Sequence, residues 1–128
     1  MKKPSELETK ILAVLWTRPD ATAREILEAL HDGKQRAYTT VLTTLQIMER
    51  KALVTRRRDG TADRWRAKES RSRVMKPVFA DLVRRVFGGR PSLVVQQFID
   101  DGLVGADELA QMEAMIREER RKKKDAGK

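Results

Sequence analysis

The stretch Ala37-Tyr38-Thr39-Thr40-Val41-Leu42-Thr43-Thr44-Leu45-Gln46-Ile47-Met48-Glu49-Arg50-Lys51 decides the fold. It predicts a helix from about Tyr38 to Lys51. At about 100° per residue, Val41, Leu45, Met48 and Ala52 share one narrow face, and Thr39, Thr43, Gln46 and Arg50 fall opposite. Thr at 39, 40, 43 and 44 is a poor choice for helix propensity. A face selected for stability alone would carry Glu, Lys or Ala. Capping by Thr39 or Thr40 accounts for one of the four, so the cluster points to a face selected for contact.

Outward from this helix, Leu53-Val54-Thr55-Arg56-Arg57 and Asp63-Arg64-Trp65-Arg66-Ala67 read as two short strands. Arg58-Asp59-Gly60-Thr61-Ala62 lies between them, and Asp-Gly is a strong turn dipeptide. Alternation turns Trp65 toward the core and leaves Arg64 and Arg66 outside with the arginines at 56 to 58.

Upstream, Ser5-x-x-Glu8 and Thr22-x-x-Glu25 are capping boxes that open two helices. The first carries Leu7, Ile11, Val14 and Leu15 on one face and is stopped by Pro19 and Asp20. The second is short, with Ala23, Ile26, Leu27 and Leu30, and Gly33 as its expected end. Three helices followed by a hairpin make a winged helix-turn-helix. In that fold the third helix enters a DNA major groove, where Thr hydroxyls and methyls reach base edges, while basic wing residues hold phosphates. Tyr38, Thr39, Thr40, Thr43, Thr44, Gln46 and Arg50 are thus the expected reading residues, and Arg57, Arg58 and Arg64 the expected wing contacts.

Charge supports this placement. The 128 residues carry a formal net charge of +9. Residues 37–68 hold 8 basic and 3 acidic side chains, net +5, whereas residues 69–119 hold 7 and 9, net −2. A basic excess confined to one helix and one hairpin is the footprint expected for nucleic acid.

Other functions fit poorly. With no Cys there is no disulfide, thiolate metal site or cysteine nucleophile. The single His, His31, sits beside the expected end of the second helix and reads as a C-terminal partner, not a base. No Ser lies in a nucleophile-elbow pattern, and Asp100-Asp101 and Glu118-Glu119 read as solvated faces. Neither enzyme activity nor a metal or other cofactor is expected. The longest apolar run, Ile11 to Trp16, is far short of the roughly 20 residues of a membrane helix. The N-terminus has no signal-peptide pattern, so a cytoplasmic protein without membrane insertion is expected.

Beyond residue 68 the pattern is helical. Met75, Phe79, Leu82, Val83, Val86 and Phe87 form an apolar face interrupted by Pro77, which either kinks or restarts the helix. Gly88-Gly89 ends it. Pro91 opens a helix through Val94, Val95 and Phe98 that ends near Gly102. A last helix spans about Ala106 to Arg120 with Leu109, Met112 and Ile116 on one side. These helices have little to bury themselves against, so Phe79, Leu82, Val86, Val94, Val95, Phe98, Leu109, Met112 and Ile116 are expected to bury against a second copy, the alternative being a single compact domain of about six helices. The expected organisation is mainly α: a winged-helix domain at 1–70, a helical dimerisation region at 71–121 and a basic disordered tail at 122–128.

A family resemblance accompanies these readings. Leu7-Glu8-x-x-Ile11-Leu12-x-Val14-Leu15-Trp16 resembles the first helix of the penicillinase repressor family, the BlaI/MecI/CopY group. Ala37-Tyr38-Thr39-Thr40-Val41-Leu42-Thr43-Thr44-Leu45 is similar to its reading helix, and Arg58-Asp59-Gly60 with Arg64-Trp65-Arg66 to its wing. Phe87-Gly88-Gly89, Leu93-Val94 and Asp107-Glu108-Leu109 are similar to its dimerisation arm. The resemblance implies a homodimeric repressor on an inverted-repeat operator in double-stranded DNA. In the antibiotic-responsive branch it further implies release by cleavage in the arm, downstream of a membrane sensor. The matching peptide here is Gln97-Phe98, where the best-known members have Asn before Phe. The Cys-rich tail of copper-responsive members has no counterpart. Ala52 stands where Gly commonly ends the reading helix, and Ile47 where a basic residue is common. Two alternatives stay open: a small-molecule-responsive winged-helix regulator and a winged-helix protein-docking module.

Overall fold

The computed structural model describes residues 3–30 and 33–127. His31, read above as a helix C-terminal partner, lies outside the described residues. Two compact units emerge, Met1–Phe79 and Ala80–Lys128.

In the first unit, helix α1 (Glu6–Thr17) opens on the Ser5 capping box: the Glu8 N–H donates to Ser5 Oγ at 3.2 Å and the Ser5 N–H donates to Glu8 Oε1 at 2.7 Å. Thr22 and Glu25 repeat the device at helix α2 (Ala23–Ala29). The α2 helix stops at Ala29, before Gly33, and Gly33 takes a left-handed φ of 76° outside it. Helix α3 (Tyr38–Arg50) buries Val41, Leu45 and Met48 completely. Ala52 does not continue that face: it lies beyond the helix end, exposed, at φ 62°.

The hairpin is longer than its sequence pattern suggested. Strand β2 covers Val54–Asp59 and β3 covers Ala62–Ala67, so only Gly60 and Thr61 remain as the loop. A positive φ of 65° at Gly60, the first of the two, is the arrangement that matches strand twist in a tight hairpin. A further strand, β1 (Ala21–Thr22), escaped the sequence reading. It pairs antiparallel with β3, Ala21 against Trp65 and Thr22 against Arg64, giving the sheet order β1-β3-β2. Two residues carry no readable alternation, and Thr22 is also the α2 cap.

The core gathers Ile11, Leu12 and Leu15 from α1, Ile26 from α2, the buried face of α3, Val54 and Trp65. Trp65 is fully buried. Burial of side chains of this size contributes about 1.5–3 kcal/mol each. The Trp16 indole N–H donates to the Glu69 carbonyl at 3.0 Å, tying α1 to the chain leaving the sheet. Val74 joins the same core and Met75 packs on it. That packing carries the first unit past residue 70 to Phe79.

Helix α4 (Arg71–Val86) runs through Pro77 as one element. It ends where Gly88 and Gly89 adopt φ 59° and 76°, with the Gly89 N–H donating to the Val83 carbonyl at 2.9 Å. The second unit continues with α5 (Pro91–Asp100) and α6 (Ala106–Ala126). Helix α6 passes the expected end near Arg120 and includes most of the segment read as a tail. Arg121 ties this turn together, donating to Glu118 at 2.6 Å and to Asp125 at 3.1 Å. Lys123 and Lys124 in the last turn suit the negative end of the helix dipole.

Candidate nucleic-acid interface

The exposed side of α3 is assembled by the burial of its opposite side. With Val41, Leu45 and Met48 in the core, Tyr38, Thr39, Thr40, Thr43, Gln46 and Arg50 are all exposed. Thr44 is half-buried, and its hydroxyl donates to the Thr40 carbonyl at 2.7 Å, one turn back along the helix. Six of the seven expected reading residues therefore face solvent together, and Thr44 lies at their margin.

Beside the start of α3 lies a residue of α2 that the sequence pattern did not flag. The Arg24 guanidinium stacks over the Tyr38 ring at 4.8 Å from its centroid. It is a cation in the first turn of α2, the end where a helix dipole disfavours positive charge. That broken local rule was the available signal. Arg24, Tyr38, Leu42 and Arg58 also line a cleft of about 320 Å³ between the α2–α3 unit and the wing.

On the wing, register sorts the arginines. Val54, Arg56, Arg58, Asp63, Trp65 and Ala67 share one face, and Thr55, Arg57, Asp59, Arg64 and Arg66 share the other. Arg56 stacks over Trp65 at 5.5 Å and pairs with Glu49 at 3.1 Å and Asp63 at 3.2 Å. Arg58 is exposed and pairs loosely with Asp63 at 3.4 Å. Arg57 is exposed, makes no side-chain hydrogen bond or close ion pair among the described residues, and adds its field at Asp20 and Asp59. Arg64 is different. It donates to Asp59 at 2.7 Å and to the Asp20 carbonyl at 3.0 Å, and lies 3.4 Å from Glu25. Arg66 donates to Asp20 Oδ2 at 2.6 Å.

These contacts shape the local electrostatics. The Arg66 hydrogen bond holds the Asp20 carboxyl below its ordinary value, and the Arg64 hydrogen bond does the same for Asp59. Both guanidinium groups are pushed up in turn, Arg64 first by Asp59 and Arg66 by Asp20. The set is fully ionised near neutral pH. Among the described residues no cluster of three or more His, Cys, Asp or Glu could hold a metal ion, and no helix is long and apolar enough to cross a membrane.

The residues expected to self-associate lie largely uncovered. Phe79 is exposed at the end of the first unit. In the second unit Leu82, Val86, Phe98, Leu109 and Ile116 are exposed, while Val94, Val95 and Met112 are half-buried. Neither α5 nor α6 buries a residue. Val95, Phe98, Leu103, Val104, Met112 and Met115 border an open cleft of about 500 Å³. Gln97 and Phe98 are both exposed within α5, and the Gln97 amide donates to Asp101 at 3.0 Å.

Comparison with known proteins agrees with this architecture. The Penicillinase repressor family model matches residues 4–118. The chain is 34% identical to the transcriptional regulator BlaI of Mycobacterium tuberculosis, in strains CDC 1551 / Oshkosh and ATCC 25618 / H37Rv, across 85% of this chain and 84% of that protein. The crystal structure of the PcaV transcriptional regulator from Streptomyces coelicolor, solved with its natural ligand, has a similar fold. Its TM-score is 0.52 at 19% identity, over 94% of this chain and 77% of that one. The mainly helical winged helix-turn-helix reading is thereby supported at the level of fold. By family match and by relatedness, the chain belongs to the penicillinase repressor family of transcriptional regulators and is not an enzyme.

Proposed function

We propose that this chain is a homodimeric, sequence-specific DNA-binding repressor that acts in the cytoplasm. The observation that carries the reading is the exposed face of α3, where Tyr38, Thr39, Thr40, Thr43, Gln46 and Arg50 stand together beside a basic hairpin. The face offers hydroxyl and amide groups to base edges, with Thr44 at its rim. Arg57 and Arg58 on the wing, with Arg64 behind them, supply the positive field that holds phosphates.

The uncovered apolar side chains of α4, α5 and α6 support self-association. A surface of this kind on a small soluble chain marks an interaction site. A two-fold dimer reads two half-sites, so the operator is pseudo-palindromic. Relief by cleavage at Gln97–Phe98, downstream of a membrane sensor, rests on the family resemblance. The peptide is exposed but lies inside α5, so a protease would first have to unwind that helix.

Selection of duplexes from a random-sequence pool tests the reading. An enriched inverted repeat, bound with affinity that falls steeply as salt rises, is the expected result. Binding that ignores both sequence and salt leaves the protein-docking alternative.

A further inference from the structure

We propose that Asp20 is a positioning residue for DNA recognition: it clamps the wing through Arg66 and Arg64, so that Arg57 is the arginine on that face left to meet a phosphate. The proposal rests on the DNA-binding reading above and deepens it.

Asp20 lies between α1 and β1 with φ 63°, a left-handed conformation uncommon outside glycine and best tolerated by Asn and Asp. This turn delivers Ala21 and Thr22 into register with Trp65 and Arg64. The same residue grips the wing twice more. Its carboxylate accepts from Arg66 at 2.6 Å, and its carbonyl accepts from Arg64 at 3.0 Å. Arg64 extends the grip outward to Asp59 at the tip and inward toward Glu25, the capping residue of α2. One chain of contacts thus runs from the helix-turn-helix to the end of the hairpin.

A two-stranded hairpin alone is marginally stable in water, and β1 adds only two residues of pairing. The clamp supplies what the short strand does not. Its ion pairs are surface pairs, with Arg66 60% and Arg64 33% exposed, so they contribute little to global stability. Their effect falls on the direction in which the wing points. Phosphate contacts fix the register of a protein on a duplex, so a wandering wing weakens binding without removing any contact type. Arg57 faces the same side, pairs across from Arg64, and lines a cleft of about 310 Å³ with Asp20, Thr55 and Arg66.

A charge-only view makes the opposite prediction for Asp20→Asn. An acidic group beside a DNA surface repels phosphate, so Asp20→Asn would strengthen binding and Arg66→Met would weaken it. The clamp predicts that both weaken it, by about fivefold or more, and that the double variant is no worse than either single one. Asn keeps the left-handed turn, so the backbone is not the variable. Binding is measured at several salt concentrations, on a duplex enriched from a random pool by the wild-type chain. The salt slope stays unchanged in Asp20→Asn and Arg66→Met. In Arg57→Ala it falls by about 0.9. Equal or tighter binding by Asp20→Asn, or a flattened slope in Arg66→Met, overturns the proposal. Amide hydrogen exchange without DNA supplies a second measurement. Faster exchange across residues 56–66 than in α1 is expected in both single variants, and unchanged exchange overturns the clamp. Salt-independent binding by the wild type overturns the DNA reading and this positioning role together, and faster exchange would then mark a purely structural clamp.

Discussion

Glu8 and Lys51 form a part-buried link between the first helix and the end of the third. The Lys51 ammonium donates to both Glu8 carboxylate oxygens, at 2.9 and 3.0 Å, and Glu8 is 2% exposed. Glu8 is also the last residue of the Ser5 capping box, third in the helix, so one carboxylate caps α1 and anchors the C-terminal end of α3. Burial pushes this carboxyl up, but the Ser5 backbone N–H and the Lys51 ammonium together hold it below its ordinary value of 4.5.

Glu8→Gln is accordingly expected to lower stability by about 1–3 kcal/mol, through loss of the pair and weakening of the cap. A lowered folded-state pKa adds stability that is present above 4.5 and lost as pH falls through the folded value. Denaturant unfolding of wild type and variant should therefore differ most near pH 7 and converge below pH 4.5. A difference that stays constant on acidification would count against the ionised pair.

Ala52→Gly is expected to raise stability by about 0.5–1 kcal/mol. Ala52 occupies the left-handed position after α3, where the Leu53 N–H donates to the Met48 carbonyl at 2.9 Å. A Cβ is disfavoured in that conformation, and the gain is offset in part by the greater freedom of unfolded glycine. A midpoint of urea unfolding that moves upward without a change in slope is the expected reading.

Thr43→Ala is expected to reduce the ratio of selected-duplex to random-duplex affinity by up to about tenfold, since a bidentate base contact is worth about 1–3 kcal/mol and a single hydroxyl falls at the low end of that range. Thr43 is exposed on α3 opposite Leu45 and Met48, and its loss leaves the core untouched. An equal decline on both duplexes would assign the residue to the backbone.

Phe98→Asp is expected to yield monomers in sedimentation while the circular dichroism stays helical. Phe98 is 43% exposed in α5 and borders an apolar cleft, so an uncompensated charge there opposes burial against a second copy. A dimer that persists would move the self-association surface elsewhere.

Much of the N-terminal unit was legible in the amino-acid order because its signals are local. The Ser5 and Thr22 capping boxes, the periodicity of Val41, Leu45 and Met48, and the turn at Gly60 each lie within a few residues of their partners. Each reports the conformation of its own backbone segment, so sequence alone determined three helices, a hairpin and a threonine-bearing exposed face. It also determined that the positive charge gathers at residues 37–68. Tertiary structure decided which of those charges are engaged. Arg64 and Arg66 meet Asp20 across more than forty residues, and Lys51 meets Glu8 across a similar gap. Alternation put Arg64 and Arg66 outside, but no short-range pattern encodes Asp20, the residue that meets them both. Strand β1 was hidden for the same reason, since a two-residue strand exists only through its partner β3. The division of the wing between arginines tied to Asp20 and Arg57, which makes no side-chain hydrogen bond or close ion pair among the described residues, is therefore a property of long-range packing.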